Sequence, residues 1–281
     1  MYTAALGLVV LSTVCHAYWN LVLKRSSGGI LFMWLFTAMT TVLYLPYILT
    51  LEFQKPTVEV AVICAGSLVC HLLYFLALDK AYQFGDLSII YPVARGLAPA
   101  VTVLFAIILL KEALTIVQIA GVLMIVAGTF ALSGLSIRGD KKMAISVLYA
   151  VLCGLMVSGY TVIDKVAVAN TQISPFLLDF VNNFGRTLLL APAALKRPSA
   201  LRQVLRENWQ SALIVAVLSP FSYLLVLFAM RYAPVSLISP VRQLSIVLSG
   251  LYGIYFLSES KSTIKFSGIG ITFCGVLLLS L

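Results

Sequence analysis

The sequence predicts an all-α integral membrane protein with ten transmembrane helices arranged as two inverted five-helix repeats. Three observations carry that expectation. The 281 residues are 61% hydrophobic and only 10% charged, with a mean hydropathy of +1.05, whereas about a quarter of ordinary soluble sequence is charged. Ten apolar runs, each of a length to cross the hydrocarbon layer, are separated by short polar breaks such as LKRSSGG, EFQKPTVE and SIRGDKK. The chain also carries one long pattern twice.

The two copies run from Ser88 to Glu112 and from Ser236 to Glu259. Ser88, Ile90, Pro92 and Val93 match Ser236, Ile238, Pro240 and Val241 at an offset of 148. After one deleted residue, Arg95, Leu110 and Glu112 match Arg242, Leu257 and Glu259 at 147, and the same offset pairs Gly121 with Gly268 and Gly128 with Gly275. Pro46 and Pro192 agree at an offset of 146. The chain therefore divides into 1–137 and 142–281, joined through RGDKK, with five spans in each half. An odd number of crossings makes the second half enter the membrane from the opposite side. That is the inverted-repeat plan of secondary transporters, with the site near midplane between the halves.

In chain order the spans fall near 3–23, 30–51, 60–79, 87–110, 116–135, 143–166, 174–195, 210–231, 235–257 and 264–281. The first has no basic segment before it and no small-residue cleavage pattern after it, so it reads as a retained span. Little chain is left over for an extramembrane domain. The net charge of +9 thus points to loops that face the cytoplasm and anionic lipid, not to nucleic acid. Lysine and arginine favour the loops after odd-numbered spans, which places those loops in the cytoplasm and both termini outside. The five cysteines are scattered through apolar runs without ligand spacing, which argues against disulfide or metal roles. No HExxH, GxSxG, P-loop or Cys/His cluster appears, so neither an enzyme nor a cofactor is expected.

Polar residues inside such spans are the candidates for function, because each is expensive there unless it faces protein or a wet cavity. In the first span His16, Trp19 and Asn20 share one helix face. His71 and Tyr74 do so in the third, and Ser219, Ser222 and Tyr223 in the eighth. The fourth span sets Tyr91 beside Pro92 and Arg95 three residues on. A helix-breaking proline frees carbonyls that a cavity can use, and the arginine suits an anionic group. In the second copy Arg242 matches Arg95 by residue type and Gln243 by distance from Pro240. The sixth span carries Ser158, Tyr160 and Asp164. The seventh holds a continuous stripe of Asp179, Asn182, Asn183 and Arg186, which must face other helices or water. Glu112 and Glu259 read as structural groups that cap the N-terminus of the helix following each.

The segment PVARGLAPAVTVLFAIILLKEALTIVQIAGVLMIVAG and its partner PVRQLSIVLSGLYGIYFLSESKSTIKFSGIGITFCGVLL share one order: proline, apolar helix, glutamate, polar turn, glycine-bearing final helix. In this the chain resembles the EamA-type ten-span members of the drug/metabolite transporter superfamily, over essentially its whole length. The resemblance implies a basket of ten helices. Spans 1, 3, 4, 6, 8 and 9 would line its cavity and spans 5 and 10 pack outside. It also implies cytoplasmic termini, against the charge distribution above, and leaves the substrate class open.

The expected function is a secondary transporter or facilitator of the plasma or inner membrane. It moves a small polar metabolite, an amino acid or organic acid, outward by alternating access. The expected lining is His16, Trp19, Asn20, Tyr74, Tyr91, Arg95, Tyr160, Asp179, Asn183, Arg186, Tyr223, Arg242 and Gln243. A monomer in contact with membrane lipid suffices. If protons drive transport, His16 or Asp179 is the expected carrier. The alternatives are a multidrug or cation exporter, which calls for an uncompensated intramembrane carboxylate, a translocase of lipid or lipid-linked substrates, and a non-transporting scaffold or sensor.

Overall fold

The computed structural model describes residues 2–26, 29–51, 57–84, 87–133, 141–171, 173–248, 251 and 263–279. Among them there are helices and no strands. The first repeat comprises α1 (Tyr2–Arg25), α2 (Gly29–Ile48), α3 (Val58–Phe84), α4 (Leu87–Leu109) and α5 (Ile116–Ser133). The second comprises α6 (Lys141–Asn170), α7 (Pro175–Leu195), α8 (Pro198–Tyr232), α9 (Val235–Val241) and α10 (Thr263–Leu279). Five of these helices are long and apolar enough to cross a bilayer, and shorter apolar helices occur in α4, α5, α9 and α10. The polar stripe of α7 keeps it out of that set although it has 21 residues.

Two elements differ from the expected spans. Helix α8 runs for 35 residues, beginning twelve residues before the expected start at 210. A membrane ruler counts only apolar residues, and the first turns of α8 present Arg202, Gln203, Arg206 and Glu207. Pro198 starts the helix where a missing amide donor costs nothing. Helix α9 stops at Val241, and helix resumes over 244–248. Pro240 explains the break: it cannot donate to the carbonyl one turn back. The backbone tightens instead, with the Gln243 amide donating to the Pro240 carbonyl (2.9 Å) and the Ile246 amide to Gln243 (2.9 Å).

The two repeats run in opposite directions across their contacts. A Cβ on Gly121 would meet the Gly275 carbonyl at 2.8 Å, and one on Gly275 would meet the Gly121 carbonyl at 2.7 Å. Seven residues along α5, Gly128 lies 2.8 Å by the same measure from the Gly268 carbonyl, seven residues back along α10. The sequence-equivalent helices α5 and α10 are therefore antiparallel and pack backbone to backbone, as small residues permit. The pairs α1/α8 and α6/α3 exchange under the same symmetry. Each is pinned by one serine: Ser12 donates to the Ser222 carbonyl (2.7 Å) and Ser146 to the Ala81 carbonyl (2.8 Å).

One proline inside a helix is compensated by a neighbour. Pro220 leaves the Ala216 carbonyl without its helical donor, and the Thr40 hydroxyl of α2 supplies one at 2.9 Å. Glu112 corrects the capping expectation. Its carboxylate accepts from the amides of Val235 (3.0 Å) and Ser236 (2.9 Å) at the start of α9, in the other repeat. The helix that follows it, α5, is capped by its own Thr115–Gln118 box, with bonds of 3.0 and 3.2 Å. Glu259 lies outside the described residues.

Candidate functional site

A cavity of about 410 Å³, counting the space at its open mouth, lies where α1, α4, α6 and α9 meet. Two of these helices come from each repeat, and α1/α6 and α4/α9 are equivalent pairs. Its wall is formed by Ser12, Thr13 and His16 of α1, Arg95 and Ala98 of α4, Val157 of α6, and Ser239, Arg242, Gln243 and Ser245 at the break in α9.

The sequence explains the asymmetry of the walls. On one side α4 lies hard against α6. A Cβ on Gly154 would meet the Ala94 carbonyl at 3.1 Å, and the Ser158 hydroxyl donates to the Ala98 carbonyl at 2.8 Å. On the equivalent side, between α1 and α9, the proline break turns the chain at Arg242 and Gln243, and the space stays open. Both partners of Arg95 that the sequence alignment offered thus face the cavity, one by residue type and one by spacing. Among the described residues, the lining holds two guanidinium groups, an imidazole, a carboxamide and four hydroxyls, and no carboxylate.

An aromatic cluster stands beside this cavity. His71 stacks on Tyr160 with ring centroids 3.8 Å apart, and Tyr223 meets His71 edge-on at 5.6 Å. Tyr74 and Tyr223 flank Tyr160 at 6.2 and 6.1 Å. The guanidinium of Arg242 lies over the Tyr223 ring, 5.6 Å from its centroid, close enough for a cation–π contact. The Tyr223 hydroxyl donates to Asp164 Oδ2.

The seventh-span stripe forms a buried network between α2, α3 and α7, joined to the aromatic cluster through Ser67, whose hydroxyl lies 3.3 Å from His71 Nδ1. Asp179 is 3% exposed and Arg186 7%, so neither meets acyl chains. Asn183 bridges them: Arg186 Nη2 donates to Asn183 Oδ1 (2.8 Å), and Asn183 Nδ2 donates to Asp179 Oδ2 (3.2 Å). The Tyr44 hydroxyl donates to the same carboxylate oxygen at 2.7 Å. Asn182 Nδ2 donates to Ser67 at 3.0 Å, and Arg186 lies over Phe75 at 5.1 Å. No member of the stripe lines the cavity.

Of the expected site residues, the fold brings His16, Arg95, Arg242 and Gln243 to the cavity and gathers Tyr74, Tyr160 and Tyr223 beside it. Trp19 donates to Ser222 Oγ (3.3 Å) and meets His16 edge-on at 4.8 Å, forming part of the α1–α8 contact. Asn20 folds back on the His16 carbonyl at 2.7 Å. Asp179, Asn183 and Arg186 belong to the α7 network, and the Tyr91 side chain lies outside the described residues. Two residues at the heart of the cluster, His71 and Asp164, were absent from the expected lining. Asp164 stands four residues after Tyr160, one turn along the same face, and that spacing was the signal available.

The EamA-like transporter family model matches the sequence twice, over residues 3–134 and 144–281. The chain belongs to the EamA-like transporter family. Its members are membrane transporters, and this chain is accordingly an integral membrane transporter of the drug/metabolite type. One solved crystal structure, described only as that of a protein, superposes with a TM-score of 0.80 at 18% identity. That match covers 100% of this chain and 98% of the other, and it speaks to the fold alone. No curated protein matches the sequence.

Proposed function

We propose that this EamA-like transporter carries a small anionic metabolite, an amino acid or related organic acid, out of the cell across the plasma or inner membrane. One observation supports the substrate class above the rest: Arg95 and Arg242 face one cavity whose lining, among the described residues, includes no carboxylate. Arginine presents a planar fork of donors that suits carboxylates, and it keeps its charge when buried. A lipophilic cation entering the same space would meet two like charges, and that weighs against multidrug export of cations.

In this reading Arg95 comes from the first repeat and Arg242 from the second, and they receive the same anionic group from opposite halves. Hydroxyls of Ser12, Thr13, Ser239 and Ser245 accept or donate to the remaining polar atoms. His16 and the Tyr74–Tyr160–Tyr223 cluster border apolar parts of the substrate. Rocking of one inverted repeat against the other then exposes the cavity to each side in turn. The protein works as a monomer and without a cofactor.

The test is counterflow in proteoliposomes of purified protein, with radiolabelled amino acids and organic acids set against lipophilic cations and a fluorescent phospholipid. Accumulation of acids that disappears in an Arg95→Ala/Arg242→Ala variant is the expected result. Movement of cations or phospholipid with no acid flux would reject the reading.

A further inference from the structure

We propose that Asp164 is a proton-binding site that controls Arg242 through Tyr223, so that one proton and one substrate anion bind together. The proposal rests on the anionic-substrate reading above and adds to it a coupling ion and the residue that carries it.

Three observations place the site. Asp164 is 0% exposed, in the last third of α6, one turn beyond Tyr160. Its Oδ2 accepts from the Tyr223 hydroxyl. The Ser67 hydroxyl of α3 lies near the carboxyl group, but Oδ1 receives no well-formed hydrogen bond. Among the described residues it is the one buried carboxylate oxygen in that state, and a proton can settle there while Tyr223 keeps its bond to Oδ2. Finally, the ring that Asp164 holds by its hydroxyl is the ring on which Arg242 lies, 5.6 Å from the centroid. Arg242 in turn lines the cavity. Carboxylate, phenol, guanidinium and cavity follow one another without a gap.

The sign of the coupling follows from Coulomb interaction. An ionised Asp164 places a negative charge within the field of Arg242 and competes with any anion that enters the cavity. A proton on Oδ1 removes that competition, and the full charge of Arg242 faces the substrate. Proton and anion therefore favour each other's binding by the same factor, as linkage requires. One proton then leaves with each monocarboxylate, and net charge movement is zero.

Other groups face Asp164 from each element packed around it. Helix α3 contributes Cys64, Cys70 and His71, α7 contributes Asp179, α8 Tyr223 and α9 Arg242. Arg95 of α4 acts on Tyr160, one turn away. On α6 itself, Lys165 is occupied at the end of α8, donating to the Met230 and Ala233 carbonyls at 2.5 and 3.0 Å. The two earlier candidates for the carrier fit less well. Asp179 already accepts from Tyr44 and Asn183, and His16 lies in the cavity itself.

The test measures binding of L-lactate, L-glutamate and benzoate to protein in nanodiscs between about pH 5.5 and 8.5, where each probe keeps a constant net charge. Wild-type protein is expected to bind at least one of them about tenfold more tightly at the acid end, a factor within the usual range for two coupled sites. In Asp164→Asn the pH ratio collapses below about twofold, with affinity held near the tight acid value. Mere structural damage would weaken binding at every pH. Asp164→Glu restores the ratio, and His16→Asn and His71→Asn keep it. If Asp164→Asn does not fold, Tyr223→Phe reads the same link and lowers the ratio to less than about threefold. Wild-type binding that ignores pH, or an Asp164→Asn variant that keeps the full ratio, overturns this proposal alone. No binding of any probe at any pH overturns the anionic-substrate reading and this proposal with it.

Discussion

Glu112 closes the first repeat onto the second: its two carboxylate oxygens accept from the Val235 and Ser236 amides at 3.0 and 2.9 Å. The bond joins the end of α4 to the start of α9, the two equivalent helices that bring Arg95 and Arg242 to the cavity. Without it the first amides of α9 lose an anion that satisfies them and complements the helix dipole.

Glu112→Ala is accordingly expected to lower stability by about 1–2 kcal/mol, the usual cost of a lost cap. Glu112→Gln, which can still accept one bond, should lose less. Thermal unfolding of the purified variants measures both, and a Glu112→Gln variant as stable as wild type would reject the charge-assisted cap.

Arg242→Ala removes a charged donor from the cavity and a cation from the face of Tyr223. A hydrogen bond to a charged group contributes about 1.5–3 kcal/mol, so anion affinity should fall roughly 10- to 150-fold. Arg242→Lys keeps the charge but not the fork, and falls between the two. Counterflow kinetics check this, with the change expected in KM. An effect of similar size in Gln243→Ala, which carries no charge, would count against a charge-based site.

In the α7 network, Asp179 and Arg186 are joined by Asn183 inside a buried interface. Removing either charge alone leaves the other buried, at about 3–5 kcal/mol. Asp179→Ala and Arg186→Ala should each unfold the protein at markedly lower temperature. The double variant should lose less than the two losses added. Strict additivity in that cycle would show that the two charges do not interact.

The close α5–α10 contact gives a paired prediction. A Cβ at position 275 would lie 2.7 Å from the Gly121 carbonyl and 2.9 Å from the Ile125 amide, so the backbones must part. Gly275→Ala should cost about 1–3 kcal/mol. Gly270→Ala, on the same helix with nothing within 4 Å of the added atom, should be neutral or gain up to about 1 kcal/mol from helix propensity. Thermal unfolding of the pair separates packing from propensity.

Much of the architecture was legible beforehand because membrane solvent imposes simple arithmetic. Helix length, apolar composition and the spacing of Arg95, Gly121 and Gly128 from their second copies lead directly to two opposed repeats. Glycine pairs at one offset in both repeats suit close helix packing, whereas the structure decided that α5 and α10 are each other's partners. The extension of α8 was not legible, since Arg202 and Arg206 end an apolar run without ending a helix. The partner of Glu112 was not legible either, because its acceptor role can be met by any exposed amide within reach.

The candidate site divides along the same line. Composition and the duplicated proline–arginine pattern alone determined that this is a ten-helix membrane protein with cationic groups set inside its spans. Only the packing decided that Arg95 and Arg242 share a cavity while Arg186 does not, and that Asp164 sits behind Tyr223. The reason is that a polar residue within a span must turn away from lipid, but a periodic pattern specifies only the face it occupies. Which neighbour meets that face depends on how helices far apart in the chain are laid side by side.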